Sequence, residues 1–257
     1  MLNDKTVFIT GASSGIGAAA AAYFARAGAR LLLCARRLNA LETLRDQLRA
    51  QYHVSVHTFQ LDVCDHKAVK EAMNNLPEAF SKIDVLLNNA GLAAGLDFFQ
   101  EASVDDWEVM IDTNIKGLLY VTKAILPSMI ARNTGHIINI GSIAAHTVYP
   151  KGNVYCATKH AVKALSESLR MDLFGTKIRV STIDPGAVET NFSMIRFKGD
   201  QDRASAVYAG MTPLMPEDIA DAILYCVNCP PHVNISDIII MPTDQAAATM
   251  VFRQAEK

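Results

Sequence analysis

Seven short runs of β-forming residues recur along the chain, and segments of helical period separate them; this alternation limits the fold more than any other feature. The runs cover residues 6–10, 30–35, 54–61, 85–88, 136–140, 179–183 and 237–241, each read as apolar on both faces, as strands buried between two helical layers are. The intervening helical patterns span 16–27, 40–51, 67–80, 104–131, 153–174 and 216–227, with Asp65, Ser103 and Thr212-Pro213 placed as N-terminal punctuation. A βαβ alternation of this kind predicts an α/β fold, a doubly wound seven-stranded parallel sheet flanked by helices on both faces. With 257 residues, half of them hydrophobic, the chain is long enough for one large core. Because no repeat, low-complexity tract or linker divides it, the expectation is a single domain, 1–257. Residues 186–215 form a long irregular stretch after a strand's carboxyl end, the place for a substrate lid in an open sheet.

Several function classes are excluded at this level. Lys and Arg number 24 against 26 Asp and Glu, so no positive excess exists to bind nucleic acid or an anionic membrane surface. The longest apolar stretches fall far short of the roughly 18 residues a membrane helix needs. The N-terminus shows neither a basic leader nor a small-residue cleavage site, which predicts a cytoplasmic protein. Five cysteines are an odd number, better matched to reduced thiols than to a disulfide framework. Cys226 and Cys229 form a CxxC with His232 nearby, but a structural zinc would want four ligands, so no metal is expected.

The first strand runs into Thr10-Gly11-Ala12-Ser13-Ser14-Gly15-Ile16-Gly17 and then directly into a helix. Such a turn presents backbone N–H groups and a positive helix end to a diphosphate, although glycine-rich turns also arise for conformational reasons alone. Its GxxxGxG spacing departs from the GxGxxG fingerprint and lacks a P-loop lysine. At the end of the second strand, where an acidic residue would hold the ribose of NAD, the chain reads Cys34-Ala35-Arg36-Arg37. Arginine there suits a 2′-phosphate, so the pattern points to NADP, against the plainer reading of two exposed helix-start residues. Asp62-Val63 and Asn88-Asn89-Ala90-Gly91 close the third and fourth strands on the edge along which a dinucleotide would lie.

Tyr155 and Lys159 stand one helical turn apart, and Ser142 lies at the end of the fifth strand. Chance alone supplies about 0.3 Tyr-x-x-x-Lys pairs in such a chain, so position rather than spacing carries the signal. Hydride transfer at an alcohol carbon needs a matching proton transfer at the oxygen. A phenol is a poor base at neutral pH, and the Lys159 ammonium is expected to favour its phenolate. Ser142 is placed to hydrogen-bond the substrate oxygen, and Asn114 to hold a water between Lys159 and solvent, or else to be an ordinary polar helix residue.

In this order these residues resemble the short-chain dehydrogenase/reductase family across essentially the whole chain. The resemblance implies a Rossmann-type fold, a nucleotide turn at 10–17 including Ile16, an adenine contact at Asp62 with Val63, and a sheet-steadying segment at Asn88 to Gly91. It further implies a catalytic tetrad of Asn114, Ser142, Tyr155 and Lys159, and a nicotinamide-side loop carrying Pro185, Gly186, Val188 and Thr190. Members that use NADP often carry a basic residue where this chain has Ser14, so the preference rests on Arg36 and Arg37. A narrower likeness, in 102–107, 195–200, 232–235 and 241–242, is to the NADP-dependent 3-hydroxy acid dehydrogenases acting on serine, L-allo-threonine, 3-hydroxyisobutyrate or the matching semialdehydes. The lid cations Arg196, Lys198 and Arg203 suit a substrate carboxylate, with Arg196 expected to make the contact; solvated lid charges are the plain alternative. The loop 144–151 before Tyr155 is a further place for substrate preference to vary. The same core motifs also fit an NADPH-dependent carbonyl reductase of a bulkier ketone or 3-oxoacyl thioester, and a non-catalytic NADP sensor would dispense with Tyr155 and Lys159. The family likeness implies a homotetramer built through 104–131 and 153–174, with 246–257 either adding to an interface or fraying.

Overall fold

The computed structural model describes residues 2–254. Strands β1 (Thr6–Thr10), β2 (Arg30–Ala35), β3 (Val56–Gln60), β4 (Val85–Asn88), β5 (Gly135–Ile140), β6 (Ile178–Pro185) and β7 (Asp237–Ile240) pair in parallel in the order β3-β2-β1-β4-β5-β6-β7. Alternate residues of the inner strands feed two cores. Val7, Ile9, Leu31 and Leu33 face α1 (Gly15–Arg26), α2 (Leu38–Tyr52) and α9 (Pro216–Asn228). Phe8, Leu32, Leu86 and Ile137 face α3 (His66–Asn74) and α5 (Leu118–Arg132). The expectation of strands apolar on both faces holds for the inner strands and fails at the edges: β3 is largely half-buried, and Ile239 of β7 is 50% exposed. Edge strands lack a neighbour on one side, so their side chains stay wetter.

The order reverses between β1 and β4, and at that point the carboxyl ends of the strands open a crevice. Helix boundaries depart from the sequence reading in three informative places. α3 stops at Asn74 because Pro77 cannot continue it, and Phe80 closes a separate 3₁₀ turn, Glu78–Phe80. α9 is not begun by Thr212-Pro213; it starts at Pro216, with Asp218 accepting the Met215 N–H at 2.7 Å. The single helix expected over 104–131 is α4 (Val104–Ile111), a π turn (Asp112–Gly117) and then α5. Gly117 permits that turn to sit close to β3's exit, since a Cβ there would come within 2.6 Å of Val63. Asp65 caps α3 as expected, accepting from Lys67 and Ala68, whereas Ser103 makes no side-chain cap.

The long stretch after β6 is not irregular throughout. It holds α7 (Phe192–Arg196) and α8 (Gln201–Ala206), and its stem is closed by a bridge between Val188 and Leu214. Past β7, a hairpin of β8 (Gln245–Ala247) and β9 (Met250–Val251) folds back on this stretch. Gln245 accepts from the Ala187 N–H at 2.8 Å and the Gln254 N–H reaches the Gly210 carbonyl at 2.7 Å. The described part of the C-terminal segment is therefore docked rather than frayed; residues 255–257 lie outside the described residues.

Candidate active site

The crevice is built first by its glycines. Gly11 adopts φ +65°, open to glycine at no cost, and any Cβ there would sit 2.9 Å from Ala90 Cα. Asn89 locks the turn from below by donating to the carbonyls of Thr10 and Gly11 at 2.9 and 3.1 Å, and Thr10 Oγ1 accepts from the backbone of Asn89 and Ala90. Asn89 and Gly17 thus support the turn. Ser14 makes no side-chain cap, so the first N–H groups of α1 stay available to an anion.

Two cavities meet along this edge and share Gly11, Ser14, Ala90, Gly91 and Ile195. One, of about 170 Å³, is lined by Ser13, Arg36, Arg37, Asp62 and Val63. Arg37 reaches across it, donating to Ser13 Oγ at 3.1 Å and Ser14 Oγ at 2.9 Å, while Arg36 is exposed on the rim. The cavity's walls therefore carry two guanidiniums, and its one acidic residue, Asp62, has an oxygen committed to the Cys64 N–H. That is a donor set for an adenosine bearing a phosphate, and the bare glycine turn beside it leaves room for a diphosphate; the residues present fit NADP.

The second cavity, of about 190 Å³, brings Ser142, Tyr155 and Lys159 together with Ile16, Pro185, Gly186, Val188 and Thr190. α6 (Asn153–Asp172) supplies Tyr155 and Lys159 one turn apart. Lys159 Nζ donates to the Ile140 carbonyl at 2.9 Å, and burial lowers its pKa to about 8, against a pull upward from Asp184. Burial pushes the Tyr155 phenol above its usual value; a Ser142 hydrogen bond and the nearby Arg196 charge oppose that push. The expected depression by Lys159 is thus not the dominant effect: with the ammonium 5.9 Å from the ring centre, desolvation of the phenolate wins. Ser142 Oγ accepts from the Ala144 N–H, which leaves its own proton free to donate.

Asn114 lies behind the cavity, not in its wall. Its amide is spent on Leu92, accepting from the N–H at 2.9 Å and donating to the carbonyl at 2.8 Å, and on Thr158 Oγ1 at 3.1 Å. Its side chain therefore braces the Leu92 segment behind Gly91. What lies between Asn114 and Lys159 is Gly91, where a Cβ would come within 3.2 Å of Asn114 Oδ1 and 3.8 Å of Lys159 Nζ.

Of the three lid cations, one faces Tyr155. Lys198 is paired with Asp106 at 2.9 Å, and Arg203 lies over Phe197 at 4.5 Å, so neither is presented to a substrate. Arg196 sits 5.4 Å from the Tyr155 ring centre, outside the cavity wall proper, with Nε on the Gly95 carbonyl and Nη2 on Tyr149 OH. Tyr149, from the loop 144–151, and Phe192, edge-on to Tyr155 at 5.7 Å, are site residues that sequence reasoning did not single out. The CxxC carries no comparable geometry: Cys226 is buried, Cys229 donates to the Tyr225 carbonyl, and both backbone carbonyls accept from Arg179.

Comparison with known proteins places the chain in a family. Residues 5–201 match the family model of the short chain dehydrogenases. A fission yeast (Schizosaccharomyces pombe) protein named NADP-dependent 3-hydroxy acid dehydrogenase is 43% identical over 98% of both chains. The sulfoacetaldehyde reductase of Chromohalobacter salexigens is 48% identical over 93% of this chain and 94% of that one. Among solved structures, the closed form of a serine dehydrogenase complexed with NADP+ superimposes with a TM-score of 0.92 at 45% identity, covering 97% of this chain and all of the other.

Proposed function

The chain belongs to the short chain dehydrogenase family and is an oxidoreductase that works with NADP, and we propose that its substrate is a small 3-hydroxy acid. Serine, L-allo-threonine, 3-hydroxyisobutyrate and the matching semialdehydes are the members of that class we would test. The observation that carries this reading is Arg196, a cation fixed by Gly95 and Tyr149 beside the Tyr155 ring. A carboxylate two carbons from the reacting hydroxyl can reach such a guanidinium while its oxygen stays at Tyr155.

NADP, when bound, supplies or accepts the hydride. Gly11, Ser13, Ser14, Gly15 and Ile16 would cradle its diphosphate and Arg36 and Arg37 its 2′-phosphate, with Pro185, Gly186, Val188 and Thr190 on the nicotinamide side. Tyr155, kept protonated by burial, donates its proton to the substrate oxygen in carbonyl reduction and takes it back in alcohol oxidation. Ser142 donates a hydrogen bond to the same oxygen, and Lys159 holds a positive charge below the phenol that favours the phenolate left behind. Residues 186–215 act as the lid, and Tyr149, Phe192 and Arg196 narrow the space above Tyr155, which argues against a bulky ketone or an acyl thioester. Ser142, Tyr155 and Lys159 in one cavity argue equally against a non-catalytic sensor.

The deciding experiment is a panel of NADP-linked oxidations and NADPH-linked reductions read by nicotinamide absorbance. It sets the three hydroxy acids against steroid alcohols, 3-hydroxyacyl thioesters and sulfoacetaldehyde, whose sulfonate offers Arg196 the same charge. Turnover confined to the bulky class overturns the proposal. No helix among the described residues is long and apolar enough to cross a membrane. We expect a cytoplasmic homotetramer joined through α4, α5 and α6, where Ile111, Leu119, Ile130 and Met171 are exposed; light scattering and cell fractionation test those two points.

A further inference from the structure

Beneath Ser142 lies a buried carboxylate that the mechanism above does not use. Asp184, on β6, is 0% exposed. Its Oδ1 accepts the Ser142 backbone N–H at 3.1 Å, and its Oδ2 meets His146 Nε2 at 2.6 Å. His146 Nδ1 in turn lies 3.3 Å from Lys163 Nζ. An ammonium can only donate, so Nδ1 accepts and the ring proton sits on Nε2, pointed at Asp184. A chain of Lys163, His146 and Asp184 therefore runs from the half-buried face of α6 to the backbone of Ser142.

Gly141 shows how closely this corner is built. It does not take a positive φ, so its backbone does not demand glycine. Space does: a Cβ there would lie 1.8 Å from Asp184 Oδ1. The end of β5 that presents Ser142, and whose Ile140 carbonyl receives Lys159, is shaped around the Asp184 carboxylate.

We propose that Asp184 is a positioning residue for this active site: bonded to His146 and through it to Lys163, it fixes the Ser142 backbone and places a negative charge behind Lys159. The groups facing Asp184 are His146 and the Ser142 N–H after β5, Lys159 and, through His146, Lys163 on α6, and Asp237 on β7. Burial, with a smaller push from Asp237, raises the Asp184 pKa above the ordinary carboxylate value, and the bonds from His146 and the Ser142 N–H oppose that rise. Lys159, brought down by burial to about 8, has Asp184 as the charge that pulls it back up. A buried negative charge beside a group titrating that close to neutrality decides how much of it is protonated in use. The inference rests on the reading that Lys159 assists Tyr155 in proton transfer.

The test uses the full chain carrying Asp184→Asn, an isosteric change, with folding checked by thermal denaturation. First, acetic anhydride labelling of Lys159 across pH, with no substrate present, is read by mass spectrometry. Loss of the negative charge lowers the labelling midpoint by about half a unit, which is about threefold more labelling near neutral pH. Second, the pH profile of kcat/KM is taken for the alcohol the wild type oxidises fastest, hydroxy acid or bulky; its alkaline limb, where the Lys159 ammonium is lost, moves to lower pH. His146→Ala gives a smaller shift of the same sign, His146→Gln restores most of it, and the double variant adds nothing to Asp184→Asn. Should Asp184→Asn fail to fold, His146→Ala carries the test alone. A labelling midpoint that stays put, or one that moves while the kinetic profile does not, overturns the proposal. Neither result bears on Tyr155, whose role fails only if Tyr155→Phe remains active.

Discussion

Replacing Arg196 with methionine keeps an unbranched apolar stem of similar length but removes the charge and the donors. In the folded protein it deletes the bonds to the Gly95 carbonyl and to Tyr149 OH, which loosens α7 against the loop below whatever the substrate. That common loss is about 0.5–1.5 kcal/mol per bond. The substrate-specific loss is separate. A hydrogen bond to a charged group contributes about 1.5–3 kcal/mol, and Arg196 is only half-buried, so screening by water favours the lower part of that range. About 1.5–2 kcal/mol corresponds to about a 10- to 30-fold fall in kcat/KM for a carboxylate. The contact exists before the chemical step, so most of the fall should appear in KM rather than kcat. The assay compares 3-hydroxyisobutyrate with its methyl ester in wild type and variant, because the ester keeps the size and the hydroxyl and loses the charge. The ester reports the common loss, and the ratio of the two losses isolates the charge. Arg196→Lys, which keeps the charge without the planar fork, should fall between. Equal losses for acid and ester would mean that Arg196 only braces the lid, and the hydroxy-acid assignment would lose its support.

Arg196 also marks the boundary of what the chain's order of residues discloses. The inner strands are legible because sequestration on both faces leaves long apolar runs, and the glycine turn is legible because Gly11 and Gly15 need φ values that other residues avoid. Ser142, Tyr155 and Lys159 could be read from strand ends and helical spacing. The lid charges could not be sorted in that way, since Arg196, Lys198 and Arg203 are alike as letters. Their fates depend on partners far along the chain: Tyr149 and Gly95 for Arg196, Asp106 for Lys198. The π turn at Asp112–Gly117 has no local signature either, because its residues are ordinary for a helix and its cause lies in packing against Leu92 and Val63. Burial is the other quantity hidden from spacing. Lys159 is expected from the spacing to favour the Tyr155 phenolate, yet both groups respond first to desolvation, which depends on everything packed around them. Asp184 and His146 stand 38 residues apart, and only the pairing of β5 with β6 brings them together.

Tyr155→Phe should cut turnover at least about 1,000-fold while NADPH affinity, read by fluorescence, stays within about twofold, since it removes the proton donor but little binding surface. Arg37→Ala should weaken NADPH about tenfold and leave NADH unchanged, with Arg36→Asp acting in the same direction; equal losses for the two cofactors would contradict a 2′-phosphate contact. Asn114→Ala strands the Leu92 N–H and carbonyl in a buried site and should cost about 1–3 kcal/mol in urea unfolding. His136 sets an acid limit on the fold. Its Nε2 bonds Ser181 Oγ, which itself donates to the Ile235 carbonyl, so the ring proton lies on Nε2 and Nδ1 has no partner. Burial holds its folded pKa down to about 3, below the value of about 6.5 for the unfolded chain. The unfolded state therefore binds the extra proton first, and stability present above pH about 6.5 is lost as pH falls toward 3. At pH 5 that loss is about 2 kcal/mol. His136→Gln, which keeps a donor near Ser181 but cannot titrate, should flatten the decline in unfolding free energy between pH 7 and 5 by that amount. Parallel curves for the two proteins would show that His136 is protonated in the folded state and that burial does not control it.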